Sequence, residues 1–395
     1  MKIKLLGIAL FTLTLGAVVY YPTLNAKNID IPTPIEFTVN QKPVIDVVFV
    51  LDTTGSMSGL IQTAKEKIWS IATTMASAQQ SPEIRIGLVA YRDRGDAYVT
   101  KVVDLSADLD SVYAKLMDFQ ADGGGDGPES VNQALYDAVH KMSWSQKDQA
   151  YQVIFLIGDA PPHMDYQDDV KYPRILASAA ERGIIVNTIQ CGDMPMTVVP
   201  WTQIANLGNG RFFQVEQAGG AVAYSTPYDR EIAALSAKLD DTRIYYGDDE
   251  EKEKMAAKVA ATDKLHALAS PATLARRGVF NASVSGKTNQ FGKSELVDAV
   301  ASGSVSIEDI EEDELPEILK PMGRAEQKAY IAAVTEERNE LHRQIRALSS
   351  DRDGYLNKKV AEAGGRKDSL DQKLYEAVRD QAAAIGLEYE DGPAY

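Results

Sequence analysis

The chain has 395 residues, of which 45% are hydrophobic and 25% are charged, which is ordinary composition for a globular protein. Its formal net charge of −16 argues against nucleic acid or an anionic membrane surface as the main partner. The single cysteine, Cys191, excludes an intrachain disulfide, and its place in a strand-like run predicts a small buried apolar side chain.

The N-terminal residues have the pattern of a secretory signal sequence. Residues 1–4 are basic, residues 5–21 form an uncharged apolar run, and residues 22–27 supply a proline and a small residue that could precede a cleavage point. We therefore predict residues 1–27 to be a signal sequence or an uncleaved N-terminal anchor, and residues 28–42 to be a linker. This predicts an exported protein, periplasmic or at the cell surface, with membrane attachment through the N-terminal segment left open.

Predicted strands alternate with predicted helices between residues 43 and 240. Continuous β-branched and aromatic runs predict strands at residues 44–51, 83–91, 98–105, 151–157, 184–191 and 212–215. Apolar residues at helical spacing predict helices at residues 60–78, 109–119, 129–142, 170–182, 201–207 and 231–239. The alternation predicts an α/β fold, Rossmann-like and doubly wound, with a mainly parallel sheet. The tight connection between the second and third strands predicts one antiparallel edge strand.

Residues 241–395 are predicted to form a mostly α-helical region. Residues 255–269 and 325–348 have helical patterns, whereas residues 278–292 look irregular. Val334, Leu341 and Leu348 recur every seven residues, and a second apolar stripe occupies residues 370–385. The heptads are too few to establish a coiled coil, so we predict a small helical bundle and leave self-association through these helices open.

Oxygen-bearing side chains follow the first predicted strand directly. Asp52 is followed by hydroxyls at Thr54 and Ser56, which places three oxygen donors on one tight turn between a strand and a helix. Such a turn lies at the carboxyl end of the strand, where open α/β sheets bind ligands. Hard oxygen donors without Cys or His favour Mg²⁺ or Mn²⁺.

Two further acidic loops follow in chain order. A glycine-rich loop at residues 123–128 offers Asp126 and Glu129 to a cation, and the residues themselves do not decide between these two acids. Asp159 follows the predicted strand 151–157 and is therefore expected near the same sheet edge as Asp52.

The run Asp52-Thr53-Thr54-Gly55-Ser56, with the two later loops in order, resembles the metal-ion-dependent adhesion site of von Willebrand factor type A (vWA) domains. The resemblance covers about residues 42–241, roughly half the chain. It implies the vWA fold and direct metal coordination by Thr54 and Ser56. Asp52 and Asp159 would contact the metal only through its ligands or through water. Many vWA domains carry a threonine in the glycine-rich loop where this chain has Asp126. The Asp-x-Pro-Glu run is similar to β-subunit integrin domains, in which the glutamate serves the metal.

The resemblance implies a coordination position left open for an acidic side chain of a partner protein. We therefore predict a metal-dependent protein-binding module for adhesion or assembly rather than an enzyme. A metal-dependent hydrolase with Asp159 or His163 as base is an alternative, although HExxH, Cys/His and Walker A patterns are missing from the sequence. The third possibility is a structural, self-assembling envelope protein with a vestigial site.

Two groups near the predicted strand ends also have plainer interpretations. His163 is predicted to be a loop histidine at the rim of the site. Arg92, Asp93 and Arg94 follow a predicted strand and could flank the same face as the site, but we predict them to be solvated surface residues.

Overall fold

A six-stranded sheet forms the centre of residues 44–215 in the computed structural model, with strand order β3-β2-β1-β4-β5-β6. The model describes residues 42–125, 127–147, 149–218, 224–362, 369–389 and 392. The strands are β1 (Val44–Asp52), β2 (Glu83–Tyr91), β3 (Thr100–Ser106), β4 (Ala150–Gly158), β5 (Ile185–Cys191) and β6 (Asn209–Val215). β2 and β3 pair antiparallel and the other neighbouring strands pair parallel, so the predicted sheet and its antiparallel edge are confirmed.

Helices cover both faces of the sheet, because the side chains of β1 alternate between two apolar cores. Ile45, Val47 and Phe49 belong to one core, and Val48 and Val50 belong to the other. The helices of this part are α1 (Ser58–Ala76), α2 (Leu109–Leu116), α3 (Val131–His140), α4 (Tyr172–Glu181) and α5 (Pro195–Leu207). Residues of α1 and α2 pack in the first core, and residues of α3, α4 and α5 pack in the second. A strand buried on both faces needs a continuous apolar sequence, and β1 has one.

The remainder of the described chain is helical, as predicted. Its helices are α6 (Asp229–Asp241), α7 (Asp249–Leu268), α8 (Pro271–Asn281), α9 (Lys287–Phe291), α10 (Leu296–Ala301), α11 (Arg324–Glu362) and α12 (Leu370–Ala382). The heptad residues Val334 and Leu341 are buried on one face of α11 and pack against neighbouring helices, as expected for a bundle. In the described part of the chain, no helix has both the length and the hydropathy that a bilayer span requires.

The last helix returns to the sheet. Leu370, Leu374 and Val378 of α12 lie in the same apolar core as β1 and α1. At the other end of the helix, Gln381 accepts a hydrogen bond from the Tyr151 hydroxyl at 2.6 Å. The C-terminal helix is therefore a structural part of the layer that covers the sheet.

A buried arginine joins the helical region to the sheet domain. Arg277 of α8 donates to Asp110 of α2 at 2.6 Å and to Asp240 of α6 at 2.7 Å, and all three side chains are buried. Burial alone would raise the pKa of Asp110, but the charge and hydrogen bonds of Arg277 outweigh burial and lower it to about 2. The same balance holds the pKa of Asp240 below its usual range.

The prediction that residues 278–292 are irregular is wrong. Helix α8 continues to Asn281, and α9 lies within the same stretch. Gly278 is inside α8, where a Cβ would lie 3.1 Å from Ser236 Cβ and 3.2 Å from Ile232 Cγ2 of α6. This glycine therefore allows two helices to pack closely and does not mark a turn.

The predicted signal sequence at residues 1–27 and almost all of the predicted linker lie outside the described residues. Cys191 is buried at the end of β5, as predicted, and burial raises the pKa of its thiol.

Candidate functional site

Three loops meet at the carboxyl edge of the sheet, where β1 and β4 are neighbours. The first site loop, residues 52–56, follows β1, and the third site loop, residues 159–163, follows β4. Between them in sequence, residues 121–129 form the glycine-rich loop that precedes α3. The strand order reverses at β1, so this edge is the topological switch point at which open α/β sheets bind ligands.

Backbone hydrogen bonds tie the first site loop to the glycine-rich loop. Asp122 N donates to Thr53 O at 3.1 Å, and Gly55 N donates to Gly123 O at 3.2 Å. Gly123 has a φ of +77°, a conformation that side chains other than glycine rarely adopt. The glycines therefore let the second loop run directly beside the first.

Asp52 is fully buried at the end of β1, and only one of its two carboxylate oxygens is hydrogen-bonded within the described chain. Its Oδ1 accepts from Thr54 N at 2.9 Å and from Thr54 Oγ1 at 2.6 Å. Its Oδ2 is buried and has no hydrogen-bond partner among the described residues. Thr54 Oγ1 lies 3.4 Å from Ser56 Oγ, and Ser56 is exposed. The loop thus groups a buried acid with two hydroxyls, one of which reaches solvent.

The site has an excess of buried negative charge. Burial raises the pKa of Asp52 to about 7; the hydrogen bonds from Thr54 oppose this shift, and the nearby charge of Asp159 adds to it. The Tyr91 phenol lies within the influence of the same carboxylates, and burial raises its pKa well above the ordinary value. A bound cation would reverse this unfavourable balance.

Glu129 lies against the first site loop. It is 3% exposed, and its backbone N–H donates to Pro161 O at 2.9 Å in the third site loop. A Cβ added to Gly124 would lie 3.2 Å from Thr54 Cβ and 3.3 Å from Glu129 Oε1, so Gly124 lies close to both side chains. Asp126, the other predicted loop ligand, lies outside the described residues.

Asp159 lies at the same edge, immediately after β4. Its Oδ2 accepts a hydrogen bond from Gln217 Nε2 at 2.7 Å, and its backbone oxygen accepts from Thr197 Oγ1 at 2.7 Å. Gln217, which follows β6, was not predicted from the sequence. Its position just after the last predicted strand was the available signal, because ends of parallel strands meet at one edge.

The prediction that Arg92 and Asp93 are solvated is wrong, since they are only 5% and 6% exposed. Arg92 Nε donates to Thr53 O at 3.1 Å, and its Nη2 donates to Gln120 O at 2.8 Å. Asp93 Oδ1 accepts from Ser130 Oγ at 2.8 Å. Both residues follow β2, and the adjacency of β2 and β1 brings them beneath the site loops, where they hold the backbone in place.

The sequence predicted His163 at the rim of the site, but this residue is buried within the loop cluster. Its ring stacks on Tyr166 with centroids 4.0 Å apart, and its Nδ1 lies 2.8 Å from Asp165 Oδ1. Its Nε2 lies 3.3 Å from Asp93 Oδ2. Arg94, which was predicted to be solvated together with Arg92 and Asp93, has a partly exposed side chain that is 38% accessible. The contacts of His163 fix the third site loop.

The donor set fits a hard divalent cation that is held partly by hydroxyls and water. Within the described ranges, no group of three or more His, Cys, Asp or Glu side chains is placed to hold a metal ion by itself. Asp52 Oδ2 is nevertheless a buried oxygen without a hydrogen bond in the described chain. The other oxygen of the same carboxylate accepts from Thr54 Oγ1, which lies 3.4 Å from Ser56 Oγ. Alcohol and carboxylate oxygens with water are what Mg²⁺ prefers.

Comparison with known proteins identifies a family that the sheet-containing part of the chain resembles. Residues 46–226 match the family model described as the von Willebrand factor A domain. A putative ariadne-like RING finger protein of Acanthamoeba polyphaga mimivirus is 27% identical over 128 residues, covering 32% of this chain and 12% of that protein. The alpha-protein kinase vwkA of Dictyostelium discoideum is 28% identical over 120 residues, covering 30% of this chain and 19% of that protein.

Among solved structures, the SpRpn10 VWA domain aligns with a TM-score of 0.34 and 14% identity, covering 44% of this chain and 89% of that chain. The chain spans less than one fifth of the length of the two curated relatives. The fold and the edge site define an α/β domain with an oxygen-rich loop cluster at its switch point. More specifically, residues 46–226 form a von Willebrand factor A domain.

Proposed function

We propose that this protein is a metal-dependent protein-binding module for adhesion or assembly. Thr54 and Ser56 would bind Mg²⁺ or Mn²⁺ directly, with Glu129 or Asp126 as the loop acid. Asp52 and Asp159 would contact the metal through water or hold its ligands. The metal would contribute a Lewis-acidic position that accepts a carboxylate from a partner protein.

The observation that carries this proposal is the contact between three separate loops around one buried acid. Asp52 Oδ2 has no hydrogen bond among the described residues, and Gly124 lies close to both Thr54 and Glu129. Ser56 is exposed, so a bound ion would be reachable from solvent. A net charge of −16 makes nucleic acid an unfavourable partner, whereas an ion at this edge creates a local positive charge that selects acidic side chains.

We also propose that the protein is exported to the periplasm or cell surface, either released or anchored through its N-terminal segment. The support is the basic, apolar and small-residue pattern of residues 1–27. Mass spectrometry of the N-terminus of the protein isolated from its cells would distinguish a cleaved chain from an anchored one. Intact protein in the cytoplasmic fraction would contradict export.

The metal proposal is tested by calorimetric titration of Mg²⁺ and Mn²⁺ into the metal-stripped full chain. We expect saturable one-to-one binding that is lost in Asp52→Ala and strongly weakened in Ser56→Ala, because both substitutions remove oxygens from the first site loop. Asp193→Ala is the matched control, since Asp193 is an exposed acid after β5 at the same sheet edge. Comparing Glu129→Ala with Asp126→Ala would identify the loop ligand.

Ser56 is exposed, so Ser56→Ala should remain folded even if Asp52→Ala does not. Absence of binding heat for both ions in the folded wild-type protein would refute the proposal. Binding that survives both first-loop substitutions would also refute it.

The open carboxylate position has its own test. With Mn²⁺ bound, water exchanging at the metal enhances the relaxation of solvent protons, and acetate should reduce this enhancement by displacing that water. Chloride at the same ionic strength is the control. An enhancement that acetate leaves unchanged would argue against a carboxylate as the partner group.

A further inference from the structure

Exposed apolar side chains are concentrated around the edge site of the sheet. β4 and β5 are parallel neighbours, so the connections that follow them leave the sheet at the edge that carries Asp52 and Asp159. Of the ten large apolar side chains that the described residues expose, five lie in these two connections or in the first turns of α5: Met164, Val170, Met194, Met196 and Val199. Apolar side chains grouped in this way mark interaction surfaces, whereas isolated ones need no explanation.

Helix α5 has no charged side chain along its thirteen residues, PMTVVPWTQIANL. Its inner face is buried in the core of the sheet domain through Trp201 and Ile204. Met196 and Val199, three residues apart and therefore on one side of the helix, are 69% and 63% exposed. Met194, just before the helix, is 38% exposed. A helix that is apolar on all sides is typical of a buried helix, so we expect a partner to cover this outer face. We call Met194, Met196 and Val199 the methionine patch.

The methionine patch is fixed in position against the third site loop. Thr197 Oγ1 donates to the backbone oxygen of Asp159 at 2.7 Å, and Trp201 Nε1 donates to that of Ala160 at 3.0 Å. Both donors belong to the inner face of α5. Because Met196 directly precedes Thr197, the patch begins one residue away from a contact with the edge site. A protein segment bound at that site would therefore have the patch beside it.

The distribution of charge indicates which kind of partner fits. The net charge of −16 repels an acidic segment from the protein as a whole. Between residues 192 and 208, however, Asp193 is the only charged residue. An acid held at the edge site thus has mostly uncharged surface on the α5 side, where an apolar neighbour of that acid would gain free energy by burial. Methionine suits such a contact, because its flexible side chain adapts to partners of different shape.

We propose that the methionine patch binds an apolar side chain that lies next to the acidic residue in the chain of the partner. The occupant is a protein segment in which an aspartate or glutamate is flanked by apolar residues. This inference rests on the proposed function, because the metal-bound carboxylate is what brings the flanking residue to α5. The metal selects the acid, and the methionine patch selects its neighbour.

The test uses the full chain with Mg²⁺ bound and with ¹³C in its methionine methyl groups. Three acetylated and amidated pentapeptides are the probes: Ser-Leu-Asp-Leu-Ser, Ser-Ser-Asp-Ser-Ser and Ser-Leu-Asn-Leu-Ser. We expect the first to shift the methyl resonances of Met194 and Met196 saturably and to bind about tenfold more tightly than the second. The third lacks the carboxylate and should bind much more weakly. The buried Met75 in the last turn of α1 should not respond.

Met196→Ser should remove the preference for the leucine-flanked aspartate peptide and leave the binding of Ser-Ser-Asp-Ser-Ser unchanged. Leu268→Ser is the matched control, since Leu268 is a 63% exposed apolar residue at the end of α7. Equal affinities of the wild-type protein for the two aspartate peptides would overturn the proposal. Equal losses in the two variants, or equal binding of the asparagine peptide, would overturn it as well.

Failure of this inference is distinguishable from failure of the metal site. If acetate displaces water from bound Mn²⁺ but leucine flanks bring no gain in affinity, the methionine patch is refuted and the metal site stands. Absence of Mg²⁺ and Mn²⁺ binding would refute both.

Two other occupants of the methionine patch would give different signals. Broadening of the Met194 and Met196 resonances by phosphatidylcholine vesicles would assign the patch to a lipid surface. Shifts of the same resonances that depend on protein concentration, without any peptide, would assign it to a second copy of this chain. Either result would overturn the proposal.

Discussion

At the residue scale, the site geometry depends on Gly158, the last residue of β4. A Cβ at this position would lie 2.5 Å from the Tyr91 hydroxyl, 2.9 Å from Asp52 Cβ and 3.0 Å from Asp52 Oδ2. These distances are shorter than normal contacts, and both neighbours are fully buried. The absence of a side chain at residue 158 therefore lets β4 pass directly beside the acid of the first site loop.

We expect Gly158→Ala to lower the free energy of unfolding by about 1–3 kcal/mol, because an added methyl group overpacks a rigid core. It should also weaken metal binding, since Asp52 has to move. Gly354→Ala is a control of opposite sign. Gly354 lies in α11 with open space around it, so alanine there should stabilise by about 0.5–1 kcal/mol. Chemical denaturation of both variants measures the difference, and equal stabilities would contradict the steric argument.

The sequence alone predicted the part of the site that lies in one continuous segment. Asp52, Thr54 and Ser56 follow each other at the end of a strand, so their proximity follows from local chain geometry. Gln217 and Arg92 also follow strands, which makes them candidates for the same sheet edge, but their contacts with the site loops depend on which strands are neighbours. The order of the strands in a parallel sheet is set by tertiary packing, and the sequence of each strand does not reveal which strands will be its neighbours.

At the element scale, the buried pairs of Arg277 connect α2, α6 and α8. A depressed carboxyl pKa in the folded state means that the unfolded state binds the proton more tightly. The stability contributed by Asp110 is therefore fully present above its unfolded pKa of 3.8 and is lost as pH falls toward about 2. This contribution is on the order of 2 kcal/mol.

We expect unfolding measured between pH 5 and pH 2, roughly the window in which such carboxyls titrate, to show a steep loss of stability. Asp110→Asn should be less stable at neutral pH, because it removes one carboxylate from Arg277, and its stability should fall less on acidification. Asp263→Asn on α7 removes an exposed carboxylate and should follow the wild-type curve. Parallel curves for wild type and Asp110→Asn would show that another group controls acid unfolding.

Element boundaries were predicted well where one local rule decided them and poorly where two rules competed. Helix α5 begins at Pro195, well before the predicted residue 201, because proline is accepted in the first turn of a helix although it usually breaks one. Helix α7 includes a charged stretch that did not look helical. Asp248 caps it by accepting from Glu251 N at 2.9 Å, and acids in a first turn are favourable.

At the scale of the whole molecule, the C-terminal helix and the sheet share one core, and residues 42–395 form one compact unit. Leu374 is 2% exposed and packs with Phe49 and Leu51 of β1 in that core. Lys67 of α1 and Asp371 of α12 form a buried ion pair at 3.2 Å between the same two elements. The vWA domain is thus expected to unfold together with α12.

We expect Leu374→Ala to lower the free energy of unfolding of the full chain by about 2–5 kcal/mol, because it leaves a cavity in the shared core. Calorimetry should show a single transition at a lower temperature, and metal binding at the edge site should be lost in the same transition. Arg379→Ala on the exposed side of α12 should change stability by no more than about 0.5 kcal/mol. Two separate transitions, with the metal-binding one unaffected, would contradict a shared core.

The contact between Tyr389 and α1 also determines the order of folding events during biosynthesis. The Tyr389 hydroxyl donates to the backbone oxygen of Met75 at 3.3 Å, across 314 residues of sequence. A ribosome adds roughly 5–20 residues per second, so this contact becomes available only many seconds after the first strand has emerged. During that interval, the apolar surface that α12 finally covers is exposed on the nascent chain. Completion of the fold is therefore expected only after residues 370–389 have emerged from the ribosome, and a chaperone that binds apolar segments would have its target on α1 and β1.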